Sequence, residues 1–171
     1  MGPMKNERCP LSSQSFRDVM NSNMLSMIQM TQIILTEMAA RGRGVIINIS
    51  PEAGRQPSPF LALYGATTAF MNSFSRSVAL EYQSSGVIIQ TLTPLVVSSN
   101  MSQMPPRKFL VKSSDDFVRE ALDTVGISNF SWGCFLHSVH SLLLWPLTSN
   151  FKFIILILMF FNSRFRAFRG S

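Results

Sequence analysis

Acids run out well before the chain does. No aspartate or glutamate follows Asp123, while Lys152, Arg164, Arg166 and Arg169 do, so the net charge of +6 is concentrated towards the C-terminal end. That excess is not gathered into one patch and no known nucleic-acid-binding motif accompanies it, so no nucleic-acid partner is expected. Charge is scarce altogether, at 14% of residues, which leaves a surface poor in solubilising groups. Cysteine is nearly absent. Cys9 and Cys134 lie far apart and neither belongs to a C-x-x-C pair, which excludes a disulfide framework and a thiolate metal cluster. His137 and His140 have a spacing that can ligate a metal on a helix, but without a nearby third ligand they read as helix-face histidines, and no metal is expected.

Long apolar runs are lacking too. The opening MGPMKNERCPLSSQ has no apolar core of the kind a secretory signal needs, and Lys5 and Asn6 do not follow the myristoylation pattern after Met-Gly. The stretch Phe153 to Phe161 is uninterrupted but too short for a helix to cross a bilayer, and extending it upstream takes in Pro146, Asn150 and Lys152. An interfacial segment anchored by arginines suits it better, so the tail is expected to touch a membrane surface.

What is present is one ordinary domain's worth of chain: 171 residues, 46% of them hydrophobic, enough for a real core. Residues 1–14 read as a loose lead-in. From Ser15 to Arg41 apolar residues recur at helical spacing (Phe16, Val19, Met20, Met24, Met27, Ile28, Ile34, Leu35, Met38), and Gly42 and Gly44 end the pattern. GVIINIS, residues 44–50, is a β-branched run suited to a strand buried on both faces. A proline- and glycine-rich loop follows. Residues 64–85 then read as a helix with Ala66, Ala69, Phe70, Phe74, Val78 and Leu80 largely on one side, stopped by Gly86, and VIIQTLTP, residues 87–94, as a second strand. Strand, helix and strand make one right-handed crossover with parallel strands. Further on, SSDDFVREALDTVG is a compact amphipathic helix with a serine cap and two acids at its positive end.

The wording of three segments, RGRGVIINIS, LYGATTAFMNSFSRSVALEYQSSGVIIQTLTP and DDFVREALDTVG, resembles the back half of a short-chain dehydrogenase/reductase, in particular the membrane-associated 17-beta-hydroxysteroid dehydrogenases and the very-long-chain 3-ketoacyl-CoA reductases. The similarity runs from about Met20 to about Leu144, making residues 15–144 the family domain and 145–171 a divergent apolar and basic tail. It implies an α/β fold, a partial doubly wound Rossmann sheet, with NADPH as cofactor, reduction of a ketosteroid or 3-ketoacyl group, and a place at the endoplasmic reticulum membrane. It also implies that the helices at 16–41 and 64–84 pack against a second subunit, in a homo- or heterodimer.

The family's catalytic tetrad maps onto Asn23, Pro51, Tyr64 and Thr68, so the asparagine and tyrosine are kept while a proline replaces the serine and a threonine the lysine. The segment PLVVSS corresponds to the part that touches the nicotinamide, which implies cofactor contacts at Val97 and Ser99. Pro51 has neither a hydroxyl nor an N–H to offer, and Ser50 next door points to the opposite face of an extended segment. Thr68 supplies no charge to lower the phenol of Tyr64 from its ordinary pKa near 10. The family's glycine run T-G-x-x-x-G-x-G and its N-N-x-G segment are not found in this sequence. The expectation is thus a reductase homologue with the front half of its sheet missing and its chemistry impaired. The alternative is a truncated pseudoenzyme acting as a dimerisation or membrane-associated partner, with Tyr64 and Asn23 serving as ordinary packing and hydrogen-bonding residues.

Overall fold

The β-branched run at residues 44–49 has no charge to place in water on either face, and it forms a strand at the edge of a sheet. The computed structural model of the chain describes residues 13–55, 61–107 and 110–148. The expected membrane-touching tail from residue 149 onward and the lead-in up to residue 12 lie outside those residues. Strand β1 (Gly44–Ile49) pairs in parallel with β2 (Val87–Leu92), in a register running from Gly44↔Val87 to Ile49↔Leu92. A third strand, β3 (Phe130–Ser131), pairs in parallel with the other edge of β2, giving the order β1-β2-β3. The sequence pattern predicts only the first two.

Ahead of the sheet, α1 (Ser13–Met20), a single π-helical turn (Asn21–Leu25) and α2 (Ser26–Arg41) form one continuous helical run. It starts two residues inside the expected lead-in. Gly42, at φ +65°, ends it by donating its amide to the carbonyls of Met38 and Ala39, the left-handed cap that glycine alone adopts without penalty. Helix α3 (Ala62–Glu81) supplies the crossover between β1 and β2. Helix α4 (Ser114–Leu122) is capped by Ser113, whose hydroxyl accepts from the Asp116 amide, and α5 (Phe135–Thr148) continues four residues past Leu144.

The core has two parts, one on each face of the sheet. Leu35 of α2 and Val78 and Ala79 of α3 pack on Ile46, Val87 and Ile89. On the other face Phe117 and Ala121 of α4, with Cys134, pack on Leu92 and Ile47. Neighbouring Ile46 and Ile47 fall in different clusters because successive strand residues face opposite ways. Helix α3 corrects one expectation: Ala66, Ala69 and Leu80 are exposed, and the buried face carries Gly65, Thr67, Thr68, Ser75, Val78 and Ala79. Small and hydroxyl residues let the helix lie close to the sheet, and the Ser75 hydroxyl finds partners there: Thr91 donates to Ser75 Oγ at 2.8 Å, and Asn48 donates to the same oxygen at 2.9 Å. Gln90 of β2, fully buried, donates from Nε2 to the Thr124 and Ser128 carbonyls, while its Oε1 is buried with no hydrogen-bond partner among the described residues.

Candidate active site

Parallel strands bring their C-terminal ends together, and in open α/β sheets that is where ligands bind. Here the chain leaving β1 stays clamped to the chain leaving β2: the Ser50 amide donates to Leu92 O at 2.8 Å and the Glu52 amide to Pro94 O at 3.0 Å. Pro51 lies between them in extended conformation, and a short 3₁₀ turn (Glu52–Gly54) comes next. Gly54 abuts α3 so closely that a Cβ there would lie 2.4 Å from the Ala69 amide nitrogen and 2.6 Å from Thr68 Oγ1. This contact seats the first turns of α3, and with them Tyr64, against the end of β1.

Four of the expected site residues share this corner. Asn23 sits at the centre of the π-turn and donates from Nδ2 to Thr67 Oγ1 at 2.9 Å, and Thr67 donates in turn to the Tyr64 carbonyl at 2.9 Å. π-Turns often occur at functional sites, because the extra residue breaks the helical register and redirects one side chain. Tyr64 is half-buried, and burial pushes its phenol above the ordinary value of 10.0. The Thr68 side chain is buried and folds back on its own helix, donating to the Gly65 carbonyl at 3.0 Å. Ser50, fully buried, donates to the Thr68 carbonyl at 2.8 Å. The one serine hydroxyl beside Pro51 is therefore spent on the backbone of α3.

Val97 and Ser99 lie on the segment leaving β2 at the same end of the sheet. Their polar groups are engaged locally: Ser102 donates to the Val97 carbonyl at 2.8 Å, and the Ser99 amide donates to Ser102 Oγ at 3.0 Å. A parallel bridge to Lys112 holds this segment against the chain entering α4.

One group at this corner has no counterpart among the expected site residues. The carboxylate of Glu52, directly after Pro51, accepts from Arg55 Nη1 at 2.7 Å and from Ser141 Oγ of α5 at 2.5 Å. Arg55 in turn lies 5.6 Å from the centre of the Trp132 ring. Burial raises the Glu52 pKa, and the hydrogen bond from Ser141 and the charge of Arg55 pull it back in part. The only sequence signal is an acid beside the proline; a partner 89 residues later is not readable from the chain. Elsewhere, His137 is fully buried against Phe117, with ring centroids 5.6 Å apart, and burial lowers its pKa from 6.5. Among the described residues no group of three metal-ligating side chains forms, and no helix is long and apolar enough to cross a membrane.

A two-layer cover of helices on a parallel sheet, a tyrosine in the first turn of the crossover helix and an asparagine aimed at that turn suggest a family. The model of the short chain dehydrogenase family matches residues 4–108 of the sequence. The chain belongs to the short-chain dehydrogenase family. Among its relatives are 17-beta-hydroxysteroid dehydrogenase type 3 of Rattus norvegicus, 38% identical over 133 residues, and the very-long-chain 3-oxoacyl-CoA reductase of Anas platyrhynchos, 39% identical over 120 residues. The first alignment covers 78% of this chain and 44% of the relative, the second 70% and 38%, so the chain spans less than half the length of these short-chain dehydrogenases. Its fold is similar to that of a 7beta-hydroxysteroid dehydrogenase (TM-score 0.65, 23% identity, 79% of this chain and 54% of that one). It is also similar to that of a short-chain dehydrogenase from Sphingobium yanoikuyae solved with NADPH (TM-score 0.63, 21% identity, 72% and 50%).

Proposed function

We propose that this chain is the homologue of an NADPH-dependent reductase of ketosteroids or 3-ketoacyl groups in which the proton-delivery machinery around Tyr64 has been dismantled, so that its own turnover is lost or severely impaired. The observation that carries this reading is the fate of the two helper positions. A reductase tyrosine must protonate a developing alkoxide, and a phenol above pKa 10 is a poor donor near neutral pH. A lysine cation would lower that pKa, but Thr68 is uncharged and its hydroxyl is committed to Gly65. A serine hydroxyl would polarise the ketone, but Pro51 has none and Ser50 is committed to Thr68. Loss of one such donor costs about 10²–10³ in rate, and further losses at the same site compound it, though not additively.

The residues expected at the cofactor do not fit a nicotinamide nucleotide as they stand. The Val97 carbonyl and the Ser99 amide are both engaged by Ser102, and Thr68 is too short to span to a ribose. What this corner retains is positioning: Asn23 and Thr67 fix the first turns of α3, and the Gly54 contact fixes the loop ahead of it. The location implied by the relatives, the endoplasmic reticulum membrane, belongs to the same reading.

A second role is supported by the outer faces of the long helices. Ile33 of α2 is 68% exposed and Leu80 of α3 is 63% exposed. A pseudoenzyme could pair through them with a second copy or with a full-length relative. The deciding experiment is an assay of the purified full chain with NADPH and, separately, a 17-ketosteroid and a 3-ketoacyl-CoA. NADPH oxidation no faster than in protein-free controls is expected; sustained turnover abolished by Tyr64→Phe would overturn the reading.

A further inference from the structure

Helix α5 is packed inside out. At helical spacing it buries His137 and Ser141, with Cys134 just ahead of it, while Phe135, Leu142 and Leu143 are exposed. Its part in the apolar core is Leu136, which rests partly buried on the cluster of Leu92, Phe117, Ala121 and Cys134. Helix α4, by comparison, buries Phe117 and Ala121 outright. Elements that bury little apolar surface sit at the low end of local stability and open ahead of the rest.

The polar contacts that hold α5 are incomplete. Ser141 donates to Glu52 at 2.5 Å, but Glu52 Oε2 and the neighbouring Trp132 Nε1 are buried without a hydrogen-bond partner among the described residues. So are both ring nitrogens of His137, which is fully buried with its ring centroid 5.6 Å from that of Phe117. Each such group has left water without gaining a partner, so a half-satisfied polar interface holds a helix less firmly than an apolar one.

Acid reaches this interface through the imidazole. Around it lie the Val96 and Trp132 carbonyls, His140 and Cys134 of the same segment, Phe117 of α4, and Lys112, which ion-pairs with Glu120 of α4. The two carbonyls favour a charged ring, His140 and Lys112 oppose it, and burial opposes it most. A proton taken up by the docked ring stays desolvated, whereas on an undocked helix it is hydrated. One pH unit below the ordinary imidazole value, the open form therefore gains up to about tenfold over the docked one. Glu52 acts in the opposite sense, since burial raises its pKa and a proton there favours docking, but it starts from 4.5 rather than 6.5.

We propose that α5 is a pH-gated latch on the turn after β1: docked at neutral pH, it is released by proton uptake at His137 while β1 and β2 stay paired, withdrawing Ser141 from Glu52 beside the candidate site. The inference stands independently of the reading of Tyr64. Residue-resolved hydrogen exchange on the full chain tests it at about pH 7.5 and 5.5, with rates corrected for the intrinsic pH dependence of exchange. Protection of the amides from Ser138 to Leu143 should fall by about three- to tenfold more in the parent chain than in His137→Phe, and protection of β2 should not follow. His140→Gln should behave as the parent does. Should His137→Phe unfold, the parent chain decides: nuclear magnetic resonance of the His137 ring must show a midpoint below 6.5, with α5 protection falling between 6.5 and that midpoint. Equal α5 protection at the two pH values would overturn the proposal. So would a loss shared by β2, which would make the event global unfolding, or a loss abolished by His140→Gln, which would assign the trigger to that residue.

Discussion

Asn23 and Thr67, 44 residues apart in sequence, are joined by a 2.9 Å hydrogen bond from the asparagine amide to the threonine hydroxyl. Thr67 is only 1% exposed and its hydroxyl donates a hydrogen bond to the Tyr64 carbonyl, so the π-turn and the start of α3 are tied through one buried oxygen. A partly buried side-chain hydrogen bond of this kind contributes about 1 kcal/mol. Asn23→Ala and Thr67→Val should each lower the melting temperature by about 2–4 °C. Because they remove the same bond, the double variant should fall short of the sum by about 0.5–1.5 kcal/mol in a thermodynamic cycle. Strict additivity would mean that the bond does not hold the two elements together.

Gly54 offers a sharper test of how the loop after β1 is seated. An added methyl meets backbone atoms of α3 at 2.4 Å, and backbone cannot swing aside as a side-chain tip can. Gly54→Ala should destabilise the chain by about 1–3 kcal/mol, the range for overpacking a tight contact. A lowered urea midpoint with an unchanged m-value is the expected signature.

The tie between Ser141 and Glu52 links α5 to the candidate site. Ser141→Ala removes a donor from a buried carboxylate, at a cost of about 1.5–3 kcal/mol, since the acceptor is charged. Denaturation of Ser141→Ala and Arg55→Ala should show both less stable than the parent chain. The Glu52 carboxyl should titrate higher in each by carbon-13 NMR, because both partners now pull its pKa down.

His137 sets a pH dependence. Burial lowers its folded pKa below 6.5, so below pH 6.5 the unfolded chain binds the proton more readily than the folded one. Its contribution to stability is present above that value and is lost as pH falls towards the folded pKa. Glu52 acts with the opposite sign: its raised pKa favours the folded chain when protonated, and that contribution is lost as pH rises from 4.5. The histidine effect is isolated by comparing the urea midpoints of the parent chain and His137→Phe between pH 7.5 and 5.5, about one unit to either side of the ordinary imidazole pKa. The parent should lose more stability on acidification than the variant.

Much of the fold is legible in the sequence because it is local. GVIINI and VIIQTL have no charge to expose, and they form two strands joined by a parallel crossover, with Tyr64 at the crossover helix's start. Strand β2 is buried, but β1, expected to be buried on both faces, is the outer strand among the described residues and leaves Val45 and Ile49 exposed. The two residues of β3 carry no such signal; their strand character comes from pairing with β2. The inward face of α3 escapes a hydropathy pattern, because Thr67, Thr68 and Ser75 go inside with their hydroxyls satisfied by neighbours while Leu80 stays out. The Glu52–Ser141 contact spans 89 residues and arises only when the fold brings α5 to the turn after β1. The exchanges at Pro51 and Thr68 can be read in the chain itself, but the directions of the Ser50 and Thr68 hydroxyls depend on how α3 is seated.

Tyr64 is proposed to lack any cation that could activate it, and its titration tests that directly. In a Tyr82→Phe background Tyr64 is the sole tyrosine, and its ionisation can be followed by the ultraviolet absorbance of the phenolate. A midpoint above 10 is predicted, with stability falling as pH rises past 10, because the unfolded chain gives up that proton first. A midpoint clearly below 10 would mean that a positive group does reach the phenol, and would contradict the account.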